Sequence, residues 1–285
     1  MSVSVQRLGE TFVAEVTGLD LSKPLDDAAI DALHDAYRHE HVIAVRGQDL
    51  TPEQVIATSR LFGPVEPHLL EQYHHDDHKE ILMVSNVVEG GEAKGLADAG
   101  SYWHSDVSYK AKPSRASMLY AVEVPEEGGD TLFCDMVAAY DALPEETKRR
   151  IADLKAVHNY AYRTNRQVAN VGVRPKLSEE QLRATPDAIH PVVRTHPETG
   201  VKAIFINPGF TVRFLDMPED ESEALKQELF DHCLQDRFIY RYKWRPGDAL
   251  IWDNATVMHK ATVLELPPGT RRTMHRTVIS GDVPF

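Results

Sequence analysis

Residues 102–109, YWHSDVSY, contain the residue types that bind metal ions in proteins. His104 and Asp106 stand two apart, and an imidazole nitrogen together with a carboxylate oxygen can ligate iron or zinc. The spacing alone is weak evidence, because composition predicts about two His-x-Asp/Glu pairs by chance and the chain contains five. The surroundings of each pair must therefore separate a ligand pair from a coincidence.

His104 differs from the other histidines because aromatic and apolar residues flank it. The cluster HHDDHKE at 74–80 lies outside any apolar pattern and is predicted to be a solvated loop, while His196 is predicted to stand at a hairpin turn. On a strand, His104 and Asp106 would project to the same side, into one cavity. A buried carboxylate needs a partner. That partner could be a metal ion or simply the histidine, and the pair alone leaves both interpretations open.

The C-terminal third of the chain offers a third ligand. GDALIWDNATVMHKATV predicts a strand ending at Trp252, a turn, and a second strand that carries His259. A lone histidine in an apolar strand is more often a core residue. Two histidines and one carboxylate on a β scaffold, however, form the facial triad of non-haem Fe(II), which leaves positions open for a bidentate 2-oxo acid and O2. Zinc is the alternative, with a water as the fourth ligand in catalytic sites.

The segment RRTMHRTVIS places two arginines on one face of a predicted strand. Arg272, Met274 and Arg276 share that face, and the Cα atoms of the two arginines would lie about 13 Å apart, which is too far for both to hold one carboxylate. Facing inward they would bind two separate anions, and facing outward they would be ordinary surface residues. The interleaved Met274 and the apolar residues after Arg276 favour the inward orientation.

The remaining sequence predicts a mostly β domain with flanking helices that could position these groups. Many short segments rich in Val, Ile, Tyr and Phe are bounded by Gly, Pro, Asp or Asn, which is typical of strands. A closed or sandwiched β core with helical buttresses accommodates them. Residues 162–189 are polar and weakly periodic, and they predict a long insertion of the kind that often forms a lid. Helices are predicted at about 24–41, 51–63, 143–154 and 218–234.

Composition restricts the class of protein. The chain has 285 residues, 42% of them hydrophobic, and a net charge of −13; this charge argues against a nucleic-acid partner, which requires a basic surface. The two cysteines cannot build a disulfide scaffold. Without a signal-peptide core or a membrane-length apolar stretch, we expect a single cytoplasmic domain over 1–285, with no membrane partner, that forms a homo-oligomer.

The order and spacing of several motifs resemble the Fe(II)- and 2-oxoglutarate-dependent dioxygenases of the taurine dioxygenase and 2,4-dichlorophenoxyacetate dioxygenase group. The resemblance extends from VTGLDLSKPL to MHRTVISGDVPF. It implies a double-stranded β-helix (jelly roll, cupin-like) core. The motifs that carry it are YWHSDVSY, EEGGDTLFCDM, HPVVRTHPETG, FINPGFT, GDALIWDN, MHKA and RRTMHR.

The resemblance also implies a role for individual residues around the metal. His104, Asp106 and His259 correspond to the iron ligands of the family. Thr131 and Arg272 correspond to the pair that holds the far carboxylate of 2-oxoglutarate. The implied chemistry uses Fe(II), 2-oxoglutarate and O2, and converts 2-oxoglutarate to succinate and CO2 while a substrate is hydroxylated.

On the substrate side the resemblance implies an acidic compound. Arg276 and His68 fall where the taurine enzyme binds the sulfonate, and Phe205 falls at an aromatic wall of its pocket. Gly100 replaces an asparagine of that enzyme, which disfavours taurine itself. The predicted substrate is a small organic acid, namely a sulfonate, an alkyl sulfate or a carboxylate such as a phenoxyalkanoate.

Two other classes of protein could use the same scaffold. A zinc hydrolase with the same three ligands would need a general base beside the metal-bound water, and the sequence offers no further carboxylate with a defined place there. A non-catalytic β-barrel binding protein would need neither an open metal face nor inward arginines.

Overall fold

The computed structural model describes residues 3–10, 12–165 and 178–285. The segment predicted as a lid, 162–189, is therefore only partly described, because 166–177 lie outside the described residues. Short helices stand on either side of this gap. No helix among the described residues is long and apolar enough to cross a membrane.

The described residues form many short strands and few helices, as the sequence predicts. The strands are β1 Ser4–Arg7, β2 Val13–Thr17, β3 Val42–Val45, β4 Val65–Glu66, β5 Leu82–Ser85, β6 Val88–Glu89, β7 Glu92–Ala93, β8 Ala116–Glu123, β9 Thr131–Asp135, β10 Lys155–His158, β11 Ala188–Pro191, β12 Val193–Thr195, β13 Lys202–Ile204, β14 Thr211–Phe214, β15 Ile239–Tyr242, β16 Ala249–Asp253, β17 Val257–Ala261 and β18 Thr273–Ile279. The helices are α1 Asp27–Glu40, α2 Pro52–Arg60, α3 Met136–Asp141, α4 Glu145–Ile151, α5 Tyr160–Asn165, α6 Glu179–Ala184 and α7 Glu219–Cys233, with 3₁₀ turns at Glu71–Tyr73, Asp236–Phe238 and Val263–Glu265.

Two facing sheets form the centre of the molecule. The larger sheet has the strand order β1-β2-β3-β16-β8-β18, and both β4 and β5 pair with the far edge of β18. The smaller sheet has the order β15-β9-β17. Phe133 of β9 packs against Trp252 of β16 with ring centroids 5.6 Å apart, so the two sheets share one apolar core.

Strand β16 shows why the larger sheet is buried on both faces. Leu250 and Trp252 belong to the core between the sheets, whereas Ala249 and Ile251 pack with α1 and α2 on the outer face. Successive side chains of a strand point to opposite faces, so a continuous apolar run is expected for a strand that is covered on both sides. The smaller sheet is covered on its outer face by α3 and α7.

The helix α2 begins as its sequence predicts. The Thr51 side chain accepts a hydrogen bond from the backbone N–H of Gln54, and the Gln54 side chain accepts one from the backbone N–H of Thr51. This reciprocal capping box satisfies donors that a helix N-terminus otherwise leaves free. The helix ends at Arg60, before Gly63, and it packs on β18.

Candidate active site

A backbone bridge brings the two candidate histidine ligands together. The N–H of His104 donates to the carbonyl of His259 at 3.0 Å, and the N–H of His259 donates to the carbonyl of His104 at 2.8 Å. Strand β17 carries His259 and pairs with β9 on its other edge. The two imidazole rings consequently lie side by side, with centroids 4.2 Å apart.

A turn, and not the alternation of side chains along a strand, places the Asp106 side chain beside the two histidine rings. Residues 105–109 do not form a strand, and only His104 makes an isolated β-bridge. The strand geometry that would place both side chains on one side of YWHSDVSY is therefore not formed. The backbone turns after Asp106, where Val107 has φ 59°, a value that is rare for a β-branched residue. This turn directs the Asp106 carboxylate back toward the histidines.

The three side chains form a compact, buried set of donors. Nε2 of His104 lies 3.3 Å from Oδ1 of Asp106, and Nε2 of His259 lies 3.8 Å from Oδ2. One ligand atom from each residue lies within 4.8 Å of the other two, and no other such group of three occurs among the described residues. The 74–80 cluster, predicted to be solvated, thus forms no comparable group.

The protonation of the triad suits a metal ion. Nδ1–H of His104 donates to the carbonyl of Tyr102 at 2.8 Å, which leaves the Nε2 lone pair free to ligate. Metal-binding histidines usually donate their other ring N–H to a carbonyl or carboxylate in this way. Burial, together with His104 and the Arg276 cation, holds the pKa of His259 well below its usual range, so the ring is neutral. Burial opposes ionisation of Asp106, but Arg276 and the histidines hold its pKa well below the usual range.

A cavity adjoins one side of the triad. His104 and His259 line it together with Thr131 and Arg272, and apolar side chains complete the wall. The Thr131 hydroxyl accepts a hydrogen bond from Nε1 of Trp244 at 3.0 Å, so its own proton is free to donate. This cavity is where sequence reasoning expected 2-oxoglutarate.

Arg272 is buried and incompletely bonded. Its Nε donates to the carbonyl of Gly129 at 3.1 Å, while Nη2, one of the two terminal nitrogens, is buried without a partner. Burial lowers the pKa of Arg272 to about 10, partly offset by Asp130, so the group remains a cation at neutral pH. Gly129 has φ 65°, and a Cβ there would lie 3.0 Å from Cδ of Arg272, so only glycine lets the backbone approach so closely.

A second cavity lies on the other side of the triad. Arg276, Gly100 and His104 border both cavities. The second cavity has a polar part at His68 and Arg276 and an aromatic wall of four residues. The wall consists of Tyr102, Tyr109, Tyr160 and Phe210.

His68 faces this second cavity as a neutral ring. Burial and the neighbouring Arg276 cation lower the pKa of His68 to about 3. Its Nδ1 accepts a hydrogen bond from the backbone N–H of Leu70 at 3.1 Å. The single proton of the neutral ring is therefore on Nε2, where it can donate to an anion.

Phe205 does not line either cavity, which corrects the expectation for this residue. Its ring stacks on His158 with centroids 5.8 Å apart and lies beneath the guanidinium of Arg194 at 4.8 Å. Phe210, five residues later, supplies the aromatic wall instead. The backbone reverses between the two, where the N–H of Phe210 donates to the Asn207 side chain at 2.9 Å.

Sequence reasoning missed several residues of this site. In the sequence, Tyr102 and Tyr109 stand out only as aromatic neighbours of His104, whereas in the structure they line the second cavity. Ser117 donates a hydrogen bond to Oδ2 of Asp106 at 2.6 Å. Its signal in the sequence is a hydroxyl at the second position of the apolar strand ASMLYAV, where a buried polar group needs a partner.

Comparison with known proteins agrees with this geometry. The sequence model of the family described as "Taurine catabolism dioxygenase TauD, TfdA family" matches residues 4–278. The chain belongs to this family. It is therefore a 2-oxoglutarate-dependent dioxygenase, and the alternatives of a hydrolase or a non-catalytic binding protein are not supported.

Individual relatives of the TauD, TfdA family are similar over nearly the whole chain. An alpha-ketoglutarate-dependent 2,4-dichlorophenoxyacetate dioxygenase of Burkholderia sp. (strain RASC) is 34% identical, covering 99% of this chain and 95% of that protein. An (S)-phenoxypropionate/alpha-ketoglutarate-dioxygenase of Sphingobium herbicidovorans is 34% identical, with coverage of 96% and 94%. A solved structure of AAD-2 in complex with Mn(II) and N-oxalylglycine is 30% identical with a TM-score of 0.83, covering 100% of this chain and 99% of that one. The predicted jelly-roll core is thereby confirmed.

Proposed function

We propose that His104, Asp106 and His259 bind Fe(II) and that this chain uses O2 with 2-oxoglutarate to hydroxylate a small organic acid. The observation that carries the proposal is the buried group of two imidazoles and one carboxylate. This donor set matches the facial triad of non-haem Fe(II), which leaves three positions open. A relative in the same family was solved with Mn(II), a divalent ion that takes similar ligands.

The fit of 2-oxoglutarate rests on Arg272 and Thr131. A buried guanidinium with a free N–H costs free energy unless an anion or water satisfies it, and Arg272 has such a group. The Thr131 hydroxyl, which already accepts from Trp244, has a proton to donate. Together they would hold the far carboxylate, while the 2-oxo acid end faces His104 and His259 across the same cavity.

The protein's own residues would supply orientation and a dry environment. His104, Asp106 and His259 would hold Fe(II), which would supply the O2-dependent decarboxylation of 2-oxoglutarate to succinate and CO2, coupled to insertion of one oxygen atom into a substrate C–H bond. Trp252, Leu119 and Val84 exclude water from the 2-oxoglutarate cavity. Arg276 stands between the two cavities and can align the substrate with the metal.

We propose that the second cavity binds the substrate. Arg276 and the Nε2–H of His68 would receive its acidic group, and the four aromatic side chains would pack on an apolar, preferably flat, body. Among the acids predicted from the sequence, a carboxylate with an aromatic ring fits this wall best. The relatives named for 2,4-dichlorophenoxyacetate and (S)-phenoxypropionate are consistent with this choice.

The first test is spectroscopic. Purified protein mixed with Fe(II) and 2-oxoglutarate in the absence of air should show a weak visible charge-transfer band from the chelate, and His259→Ala should not. Absence of the band from the unaltered protein would contradict the proposal. A screen of aryloxy carboxylates, aliphatic sulfonates and alkyl sulfates for coupled succinate release then identifies the substrate class, and preference for an uncharged compound would refute the acid assignment.

A further inference from the structure

Asn254 lies at the centre of a buried hydrogen-bond network behind the metal site. It is fully buried, and its Oδ1 accepts from the backbone N–H of Asp106 and from Nε1 of Trp252, each at 3.1 Å. Its Nδ2 donates to Oγ of Ser117 at 3.0 Å. The amide orientation follows from chemistry, because both partners of Oδ1 can only donate.

Ser117 closes this network into a ring that returns to Asp106. It is fully buried on β8, and its hydroxyl donates to Oδ2 of Asp106 at 2.6 Å. Because Ser117 accepts from Asn254 and has one proton, that proton is committed to the carboxylate. Asp106 is therefore held at its backbone and at its side chain by the same pair of residues.

Ser117 and Arg276 contact different oxygens of the same carboxylate. Nη2 of Arg276 forms an ion pair with Oδ1 of Asp106 at 2.5 Å, whereas Ser117 donates to Oδ2. Two partners on different oxygens fix the rotation of the carboxylate plane. In the observed rotation, Oδ1 lies nearer His104 and Oδ2 nearer His259. Without Ser117, Asp106 could rotate to give both oxygens to the guanidinium, an arrangement that arginine favours.

We propose that Ser117 and Asn254 are positioning residues that fix the Asp106 carboxylate for metal binding against the attraction of Arg276. This inference rests on the proposed role of Asp106 as a metal ligand. The Ser105 hydroxyl supports it, because it donates to the carbonyl of Asn254 at 2.7 Å. The segment between the ligands His104 and Asp106 is thus attached to the same residue.

Titration with Co(II) tests the inference without relying on catalysis. Replacing a residue that hydrogen-bonds to a metal ligand typically lowers metal affinity by about 10- to 100-fold. We expect Ser117→Ala and Asn254→Ala each to lower the Co(II) affinity by this amount and to shift the visible Co(II) absorption. The double variant should lose little more than the weaker-binding single variant, because the two residues act through one ring. Ser117→Thr keeps the hydroxyl and should retain at least a third of the affinity.

Ser59→Ala is the matched control. Ser59 is also a fully buried serine whose hydroxyl bonds to another side chain, that of Thr277 at 2.6 Å, but it has no bond to the triad. Its replacement should lower thermal stability without changing Co(II) affinity or the absorption. Should Ser117→Ala fail to fold, Asn254→Ala and Ser117→Thr still give the comparison.

The outcomes separate this inference from the proposed function. Normal Co(II) affinity and spectrum in both Ser117→Ala and Asn254→Ala, with loss in His259→Ala, would overturn the positioning role and leave the metal triad intact. Equal loss in Ser59→Ala would also overturn it, since general destabilisation would then explain the effect. Failure of the unaltered protein to bind Co(II) would overturn both.

Discussion

Nη2 of Arg276 forms an ion pair with Oδ1 of Asp106 at 2.5 Å, so the arginine proposed to receive the substrate is paired with the carboxylate proposed to bind the metal. Both groups are largely buried. Nε of Arg276 is buried without a partner, which leaves part of the guanidinium for an anion. The guanidinium of Arg276 therefore faces both the proposed substrate acid and the proposed metal ligand Asp106. Replacing Arg276 should change the affinity for the substrate and for the metal.

We predict that Arg276→Ala lowers the melting temperature of the metal-free protein. Adding Co(II) should raise the melting temperature of this variant by more than it raises that of the unaltered protein. Removing one partner of a buried ion pair costs about 3–5 kcal/mol because the other charge is left unpaired. A divalent ion then neutralises Asp106 without repulsion from Arg276. Differential scanning fluorimetry with and without Co(II) measures both values, and a smaller Co(II) increase than in the unaltered protein would contradict the prediction.

The same substitution should weaken substrate binding by about ten- to a hundredfold, since a charged hydrogen bond contributes about 1.5–3 kcal/mol. The relevant measurement is the KM for an accepted acid, compared with the KM for 2-oxoglutarate, which should change much less. Arg271→Ala is the control, because this neighbouring arginine bonds to Glu123 and Glu89 on the outer face. An unchanged substrate KM in Arg276→Ala would place the acid elsewhere.

Replacing Arg272 by lysine should raise the KM for 2-oxoglutarate at least tenfold and the KM for substrate by much less. Lysine keeps the charge but lacks the planar fork that binds a carboxylate with two hydrogen bonds, and it cannot reproduce the bond from Nε to Gly129. Steady-state kinetics with each compound varied in turn measures the difference. Equal effects on both KM values would refute the assignment, and Arg271→Lys serves as the control.

Replacement of His259 by alanine should abolish Fe(II) binding and turnover while the fold is retained. The strands around it are held by backbone pairing and apolar burial, neither of which depends on a metal. Equilibrium dialysis and circular dichroism provide the two measurements. His75→Ala, in the 74–80 cluster, should bind Fe(II) normally, and the reverse pattern would move the metal to that cluster.

Acid should destabilise the protein partly through His275. Burial, reinforced by His75 and His78, lowers the pKa of His275 to about 4, below the usual value of about 6.5. Between these values the unfolded chain binds the proton and the folded chain does not, so stability falls as pH drops through this window. The slope is up to about 1.4 kcal/mol per pH unit. Urea unfolding with EDTA at pH 7.5 and 5.0 should show a smaller loss in His275→Gln, and an equal loss would contradict this.

Much of the site could be predicted because its residues stand in strongly patterned segments. The sequence predicts that Arg272, Met274 and Arg276 share one face; Arg272 immediately precedes β18 and Arg276 lies on it, and both arginines border the cavity beside the triad. His259 follows a turn between two apolar strands, as the sequence indicates. An alternating pattern in the sequence indicates which side chains share a face, because successive side chains of a strand point to opposite faces.

The features of the site that the sequence did not indicate lie mostly where the backbone is irregular. YWHSDVSY has the composition of a strand, but the positive φ of Val107 depends on tertiary contacts that no local pattern shows. Phe205 and Phe210 are separated by a tight reversal at Asn207, so a motif match alone could not tell which ring faces the cavity. Ser117 could have been identified only by asking what a hydroxyl inside an apolar strand bonds to.

The strand order has a consequence for synthesis of the chain. Strand β8 pairs with β16 on one edge and β18 on the other, and both of these strands are made more than a hundred residues later. While the ribosome is still translating the intervening residues, β8 has no partner on either edge. Long-range pairing of this kind is slow to form and exposes apolar edges to aggregation. Strand β18 is made after all the strands it pairs with, so its synthesis completes the central sheet and brings Arg276 into the site.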